Sequence, residues 1–420
     1  MSFLSTLENT YLFYFFITNG FYLLLSVTAF FTIYRYMGGR SFDHLPDEFD
    51  ELLPPMTVII PAYNEEETIV DTVQSVLKET YPGLQIVVVN DGSEDATLQR
   101  LDEAYDLTPS TDVVRIAVPC SNLLEVYQSD QNEAVHVIDK EKNSEVLKGD
   151  ALNAGLNLAE TPLICCIDAD SVLEDGCLKT LARPFLRNPE TVAAGGTIRV
   201  ANGSTINNST LQKVSLSWNP LELFQVVEYL RAFLFGRMGW VPFNALPVIS
   251  GALGLFDRQT LIDVGGFKND SVSEDMEIIL RMHRKLSAQN ESYKIDYVPD
   301  PICWTQVPSD VNSLRTQRIS WQQGLSESIF SNLGLFGESR TPGAGLMSFP
   351  YLIVVEWFGA LVEVSGYTFM AVGILTGYLS PFTTIAFFLV AIGLGIFHSV
   401  FTLLLEVISF RVYSDISHLI

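Results

Sequence analysis

Two aspartates stand directly behind a fully apolar run of the sequence. Residues 163–167 read Leu-Ile-Cys-Cys-Ile, and Asp168-Ala169-Asp170 follow. Two carboxylates at the end of a buried strand repel each other unless a cation lies between them. Carboxylate oxygens suit Mg²⁺ or Mn²⁺, with phosphates of a substrate filling the remaining positions. A capping role for the next helix explains Asp170 but not both residues, so we predict a metal site at Asp168 and Asp170.

Two further motifs could supply a cation and a base. Lys148 opens the predicted helix Lys-Gly-Asp-Ala-Leu-Asn, and helix starts attract anions. A phosphate-binding lysine and a solvated lysine fit this position equally well. Ser273-Glu274-Asp275 opens another helical pattern. It serves either as a helix cap with an acidic first turn or as the source of a general base that deprotonates a hydroxyl.

Three polar clusters are less specific. Asn64, in Pro-Ala-Tyr-Asn-Glu after the first apolar run, fits a helix N-cap. Asp91, in Asn-Asp-Gly-Ser, fits an ordinary turn as well as a site that accepts bonds from a base or ribose. Trp321, beside Gln317 and Arg318 in a helical pattern, is either core or a surface on which a sugar ring stacks.

The elements that position these clusters alternate between strand and helix. Apolar β-rich runs at 56–61, 85–90 and 113–118 alternate with helical patterns at 65–79 and 95–106. This alternation predicts βαβ units and a largely parallel sheet. Ligands of such sheets bind beyond the carboxyl ends of the strands, where the polar clusters begin.

Apolar segments flank the soluble part at both ends. Residues 11–34 contain no charged side chain and are long enough to cross a bilayer as a helix. Arg35 and Arg40 follow this span and Glu8 precedes it, which predicts that the chain continues into the cytosol. Residues 364–379 and 381–405 predict a membrane hairpin, and residues 349–363 an interfacial segment. The predicted domains are therefore 1–50 (membrane helix and cytosolic linker), 54–340 (soluble domain) and 346–420 (interfacial segment and hairpin).

Charge and cysteine content exclude other classes of protein. The 25 basic and 49 acidic residues give a net charge of -24, which argues against nucleic acid as a partner. The five cysteines are odd in number and form no CxxC pair, so reduced thiols in a cytosolic domain are expected.

Taken in order, these clusters resemble the inverting family-two glycosyltransferases, notably the membrane-bound synthases of cellulose, hyaluronan, chitin and poly-N-acetylglucosamine. The resemblance implies a GT-A fold, which is Rossmann-like with a mostly parallel sheet, and transmembrane helices at both ends of a cytosolic domain. It also implies a multi-pass protein of the plasma membrane. Its partners would be a nucleotide-sugar donor and a polysaccharide or lipid-linked acceptor, with an oligomer or partner subunit possible because three spans form a thin channel.

The resemblance also implies roles for single residues. Asp275 would be the general base, and Asp168 and Asp170 would hold the metal. The nucleotide and its phosphates would be bound by Ala62, Asn64, Glu65, Asp91, Lys148, Asp168, Gln317, Arg318 and Trp321. One position departs from the pattern, since Ser320 stands where the relatives carry an arginine that contacts the donor diphosphate.

The expected activity is the metal-dependent, inverting transfer of a sugar from a UDP-sugar to a growing polysaccharide at the membrane. Two alternatives stay open: a single-transfer enzyme that acts on a lipid carrier, and a nucleotide-binding regulatory protein that has lost catalysis.

Overall fold

The computed structural model describes residues 3–39, 52–111, 114–143, 146–207 and 209–413. Most of the predicted linker before residue 50, including Arg40, and the last seven residues lie outside this part of the chain.

A mixed sheet forms the centre of the soluble domain. Its strands run in the order β3-β4-β5-β2-β1-β6-β11-β8-β12-β7, and β9 and β10 form a separate hairpin. The strands are β1 (Met56–Ala62), β2 (Leu84–Asn90), β3 (Leu107–Pro109), β4 (Leu123–Ser129), β5 (Val135–Lys140), β6 (Leu163–Ile167), β7 (Val172–Leu173), β8 (Thr191–Val200), β9 (Thr205–Asn207), β10 (Thr210–Lys213), β11 (Leu253–Asp257) and β12 (Lys294–Thr305).

The middle of this sheet is parallel. β5, β2, β1 and β6 pair in parallel, whereas β4 on one side and β11 on the other pair antiparallel to their neighbours. All five residues of β6 are buried, because helices cover both faces of a parallel sheet and leave no solvent-facing side. The polar residues that follow β1, β2 and β6 therefore meet at one edge of the sheet.

Fourteen helices accompany the strands in the described residues. They are α1 (Phe3–Gly39), α2 (Ile69–Leu77), α3 (Thr97–Tyr105), α4 (Lys148–Leu158), α5 (Cys177–Arg187), α6 (Pro220–Tyr229), α7 (Arg237–Trp240), α8 (Arg258–Asp263), α9 (Glu274–Gln289), α10 (Val311–Ser331), α11 (Phe349–Tyr351), α12 (Gly359–Leu375), α13 (Pro381–Phe387) and α14 (Leu394–Ser409). A π-helical segment, Leu230–Gly236, joins α6 to α7 into one helical run.

Two local predictions are wrong. The helix predicted at 65–79 begins only at Ile69, after Thr68, so Asn64 is not its N-cap. Asn64 instead adopts a left-handed φ of 57°. The run predicted as a strand at 113–118 begins outside the described residues, and residues 114–118 form no strand. The backbone N–H of Val118 donates to the Asn157 side chain, so a tertiary contact replaces the strand pairing that the β-branched residues favour.

The predicted membrane segments are helical. Two helices are long and apolar enough to cross a bilayer, Leu4–Gly38 and Pro381–Ser409. A third possible span is a pair, Gly343–Trp357 and Gly359–Leu375, bent by 42° at its break. Ser380 caps the helix that begins at Pro381, as expected from the break in the predicted hairpin.

The helical run 220–240 joins the sheet to the membrane helices. The ring of Trp240 lies 5.5 Å from Phe21 of α1 and 5.3 Å from Tyr351 of α11. A buried ion pair adds a second connection, because Arg199 of β8 donates to Glu406 of α14 at 2.7 Å. The soluble domain is thus fixed to the helices that would hold it at a membrane.

Candidate active site

One cavity of about 1650 Å³ extends from the edge of the sheet to the membrane helices. Its sheet end is lined by Lys148, Asp168, Asp170 and Asp275, and its far end by Tyr22, Leu25 and Ser26 of α1 together with residues of α14. The structure therefore brings together four residues that the sequence analysis singled out on separate elements.

Asp168 and Asp170 follow β6 at the floor of this cavity. The turn that holds them is fixed by Thr72, whose hydroxyl donates to the Ala169 carbonyl at 2.6 Å. Burial, Asp168 and Glu65 together raise the pKa of Asp170 to about 6. Carboxylates that oppose each other's ionisation in this way fit a site for a divalent cation. The described residues contain no set of three His, Cys, Asp or Glu side chains arranged to hold a metal ion.

Lys148 stands between these aspartates and the start of α9. Its ammonium donates to Asp168 and lies 3.3 Å from Glu274. Burial disfavours the charged lysine, but Asp168 and Glu274 outweigh burial and raise its pKa above the ordinary value. The predicted helix start at Lys148 is observed, and the lysine is a constituent of the carboxylate cluster rather than a solvated side chain.

Asp275 lies in the first turn of α9, beside Lys148. One carboxylate oxygen accepts from the Gly251 N–H at 3.1 Å, and the other accepts from the Ser273 hydroxyl at 2.8 Å. A Cβ at Gly251 would lie 2.9 Å from the Lys148 ammonium, so the glycine leaves room for that ammonium beside Asp275. These bonds orient a carboxylate that faces the cavity, which is the arrangement a general base requires.

Asp91 occupies a different environment. It is 5% exposed, accepts from the buried Lys140, and lies 2.7 Å from the Lys142 ammonium. Lys140 also pairs with the buried Asp150 at 2.9 Å. Asp91 does not line the cavity, and its carboxylate is already neutralised by two lysines. The sequence analysis did not identify Lys140, because the contact between β5 and the end of β2 leaves no local pattern.

Ala62, Asn64 and Glu65 lie next to Asp91 rather than in the cavity wall. The Ala62 carbonyl accepts from the Asp91 N–H at 2.8 Å. The Asn64 side chain accepts from the Glu94 N–H at 2.8 Å, and the Thr68 hydroxyl donates to Glu65 at 2.7 Å. These bonds tie the loops after β1 and β2 together, beside the sheet end of the cavity.

Helix α10 presents one stripe of side chains to the cavity. Gln317, Trp321 and Leu325, spaced four residues apart, belong to it, and so does Arg318. The Gln317 Oε1 is buried without a hydrogen-bond partner among the described residues. Gly324 allows α10 to pack on Ser273, since a Cβ there would lie 2.4 Å from the serine Cβ. Ser320 lies outside this stripe.

The side chain of Arg318 forms an ion pair within the protein. Its guanidinium bonds Glu228 of α6 at 2.5 and 2.6 Å, and its Cζ lies 4.4 Å from the centroid of Trp321. The sequence analysis missed Glu228, and it also missed Arg231 and Arg237, which line the cavity on the helical run 220–240. These three charged residues stand singly among apolar neighbours and form no motif, so only the fold shows that they line the cavity.

Comparisons with known proteins agree with this architecture. A model of the family described as "Glycosyltransferase like family 2" matches residues 54–324. The poly-beta-1,6-N-acetyl-D-glucosamine synthase of Staphylococcus epidermidis is 26% identical over 302 residues, which cover 72% of this chain and 62% of that protein. The synthase of Staphylococcus aureus (strain COL) is 25% identical over 317 residues, which cover 76% of this chain and 66% of that protein. The alignment thus spans less than two thirds of the length of either relative.

A solved structure shares the fold. The mannosyltransferase of Pyrobaculum calidifontis, in complex with GDP-Man and Mn²⁺, superimposes with a TM-score of 0.55 at 18% identity, covering 92% of this chain and 98% of that chain. The sheet is therefore GT-A-like, as predicted. Because the family model spans more than half of the sequence, the chain belongs to glycosyltransferase family 2 and is a glycosyltransferase.

Proposed function

We propose that the protein transfers a sugar from a UDP-sugar to the hydroxyl of an acceptor at the membrane, with inversion at the anomeric carbon. The observation that carries this proposal is the single cavity that joins Asp168, Asp170 and Asp275 to the membrane helices. A growing polysaccharide is the acceptor favoured by the similarity to the poly-N-acetylglucosamine synthases. The expected setting is a multi-pass membrane protein with the soluble domain in the cytosol.

Asp168 and Asp170 are the residues that would hold a Mg²⁺ or Mn²⁺ ion. The fit rests on their shared, partly buried position and on the raised pKa of Asp170. The mannosyltransferase that shares the fold is a complex with Mn²⁺, which supports the proposal. When bound, such an ion would offset the charge of the leaving diphosphate.

The protein's own groups act around the reacting atoms. Lys148 keeps its proton because of Asp168 and Glu274, so it offers a permanent cation to the diphosphate. Asp275, oriented by Gly251 and Ser273, accepts the proton of the attacking hydroxyl. The new bond forms at the anomeric carbon while its bond to the diphosphate oxygen breaks, and the electron pair leaves with the nucleoside diphosphate. A one-step displacement of this kind inverts the configuration.

The nucleoside is proposed to bind beside the loops after β1 and β2, at Ala62, Asn64, Glu65 and Asp91. Gln317 and Trp321 would contact the sugars, since Gln317 has an unsatisfied oxygen and Trp321 an exposed ring. Arg318 orients Trp321 while bonded to Glu228.

The test is the release of UDP by the detergent-purified protein from a panel of UDP-sugars, with Mn²⁺ or Mg²⁺ and after chelation by EDTA. We expect metal-dependent release with one sugar preferred, and a polymer visible on a gel. One added sugar in a lipid extract would indicate the single-transfer alternative. Metal-dependent binding of UDP in a calorimeter without any release would show that catalysis is lost and would refute the proposal.

A further inference from the structure

Lys148 is bonded to one of the two carboxylates that are proposed to hold a metal ion. Its ammonium donates to Asp168 and lies 3.3 Å from a carboxylate oxygen of Glu274. The Gly251 carbonyl lies 3.5 Å from the same nitrogen. The ammonium thus stands between two carboxylates, Asp168 behind β6 and Glu274 at the start of α9.

A divalent ion at Asp168 and the Lys148 ammonium would compete for the same carboxylate. Mg²⁺ binds its oxygen ligands at about 2.1 Å, so an ammonium bonded to the same group would lie only a few Å from the ion. Like charges at such a distance repel each other, and more strongly where water is partly excluded. The side chains of Lys148 and Asp168 are 31% and 34% exposed, so solvent screens this repulsion only in part. Tight binding of the ion therefore requires the ammonium to leave Asp168.

Glu274 is the carboxylate best placed to receive the ammonium. It is 6% exposed, and Lys148 is its one cation within ion-pairing distance among the described residues. The neighbouring Asp275 already accepts from the Gly251 N–H and the Ser273 hydroxyl. A buried carboxylate is costly unless a cation meets it, so a closer contact with Lys148 stabilises Glu274 as well.

The space between the ammonium and Glu274 is open because residue 251 is a glycine. A Cβ at Gly251 would lie 2.9 Å from the Lys148 nitrogen and 3.3 Å from the Glu274 oxygen. Any larger residue would press on both groups. The Gly251 carbonyl is also an acceptor within reach of the ammonium as it shifts from one carboxylate to the other.

We propose that Lys148 is an exchangeable cation, which leaves Asp168 for Glu274 when a divalent ion binds at Asp168 and Asp170. Glu274 is then a positioning residue, because it acts on the metal site only by receiving the ammonium. This inference rests on the proposed function and concerns how its metal site is made available. An ammonium has three donors, so Lys148 bonded to Glu274 still has donors for the diphosphate of the sugar donor.

The affinity of the detergent-purified full chain for Mn²⁺ alone tests the exchange, read from the electron paramagnetic resonance signal of free Mn²⁺. Lys148→Met removes the competing ammonium and should tighten Mn²⁺ binding about 10-fold, as expected for one charge-assisted hydrogen bond. Glu274→Gln removes the receiving carboxylate and should weaken Mn²⁺ binding about 10-fold. Lys213→Met and Glu291→Gln, at exposed positions, are the matched controls and should change nothing.

The double variant separates an exchange from a general electrostatic effect of two charges near the ion. If Lys148 is exchanged, Glu274→Gln should cost little in the Lys148→Met background, because no ammonium is left to receive. Independent effects of the two charges would instead add. Tighter binding by Lys148→Met cannot come from misfolding, and recovery of affinity in the double variant shows that Glu274→Gln alone still folds.

Additive changes in the double variant would overturn the exchange, and so would an unchanged Mn²⁺ affinity in Lys148→Met. Neither result affects the proposed function if UDP release stays sensitive to EDTA. Failure of the proposed metal site is distinguishable, because neither the wild type nor Lys148→Met would then bind Mn²⁺ and EDTA would not inhibit UDP release. That result would overturn the exchange together with the metal site.

Discussion

The molecule contains two clusters of carboxylates and lysine at the same edge of its sheet, and they differ in exposure and in charge balance. In the closed cluster, Asp91 and Asp150 share the fully buried Lys140, and Lys142 also bonds Asp91. In the open cluster, Asp168, Asp170, Glu274 and Asp275 line the cavity with Lys148 as their ammonium partner. Residue types are the same, but the ratio of charges differs.

The difference lies in how far each cluster balances its own charge. Two lysines balance two aspartates in the closed cluster, so it has no need of an added ion. Four carboxylates face one lysine in the open cluster, and the pKa values of Asp170 and Glu274 are raised by burial and by neighbouring carboxylates. An excess of negative charge in a cavity favours the binding of a cation, whereas a buried set with balanced charges needs no added ion.

The largest expected effect is on catalysis by the open cluster. Asp275→Asn keeps the shape of the side chain but removes the base, so we expect kcat to fall by about 10²–10⁴-fold with little change in thermal stability. UDP release under saturating donor measures it. Asp270→Asn, at a largely exposed carboxylate five residues earlier, is the control. Full activity in Asp275→Asn would refute the base assignment.

The second prediction concerns the contribution of the closed cluster to the stability of the fold. Lys140→Met leaves two buried carboxylates with one cation fewer, and breaking a buried pair costs about 3–5 kcal/mol in the free energy of unfolding. Urea unfolding followed by tryptophan fluorescence measures the loss, with the exposed Lys213→Met as the control. A variant as stable as the wild type would contradict the stabilising role of Lys140 in the closed cluster.

A third prediction concerns α9, which carries the open cluster at its start and the buried His283 further along. His283 is held neutral between Tyr293 at 2.7 Å and the Leu246 carbonyl at 2.9 Å, and burial lowers its pKa to about 4. Because the folded pKa lies below the unfolded value of about 6.5, the stability it contributes is complete above pH 6.5 and is lost as the pH falls towards 4. The loss amounts to about 3 kcal/mol.

Unfolding free energies measured from pH 7 to pH 4 test this prediction. His283→Gln should be less stable at neutral pH but should lack this part of the acid slope. If the variant loses stability with falling pH as steeply as the wild type, groups other than His283 cause the pH dependence.

The smallest effect concerns the ion itself. Mn²⁺ and UDP together, at about 100 times their Kd, should stabilise the wild type by about 2.7 kcal/mol through binding to the folded state alone. Asp170→Asn should lose this stabilisation, while Asp263→Asn on the exposed side of α8 should keep it. Equal stabilisation of both variants by Mn²⁺ and UDP would show that the metal does not bind at the open cluster.

Much of the site was predictable because its parts are local patterns. Asp168 and Asp170 follow a strand whose five apolar residues predict burial, and Lys148 begins a helix as its motif predicts. The extent of the first helix was not predictable, because the bonds that hold Asn64 come from the loop after β2, thirty residues away. The strand predicted at 113–118 does not form for a similar reason, because the Val118 N–H donates to the side chain of the distant Asn157.

The sequence by itself determined the alternation of strands and helices, the apolar ends, and the acidic motifs, since each depends on neighbouring residues and short-range periodicity. Only the tertiary structure decided which charges meet. It paired Lys140 with Asp91 and Arg318 with Glu228. Electrostatic partnership depends on distance in space and on burial, and the order of residues along the chain fixes neither.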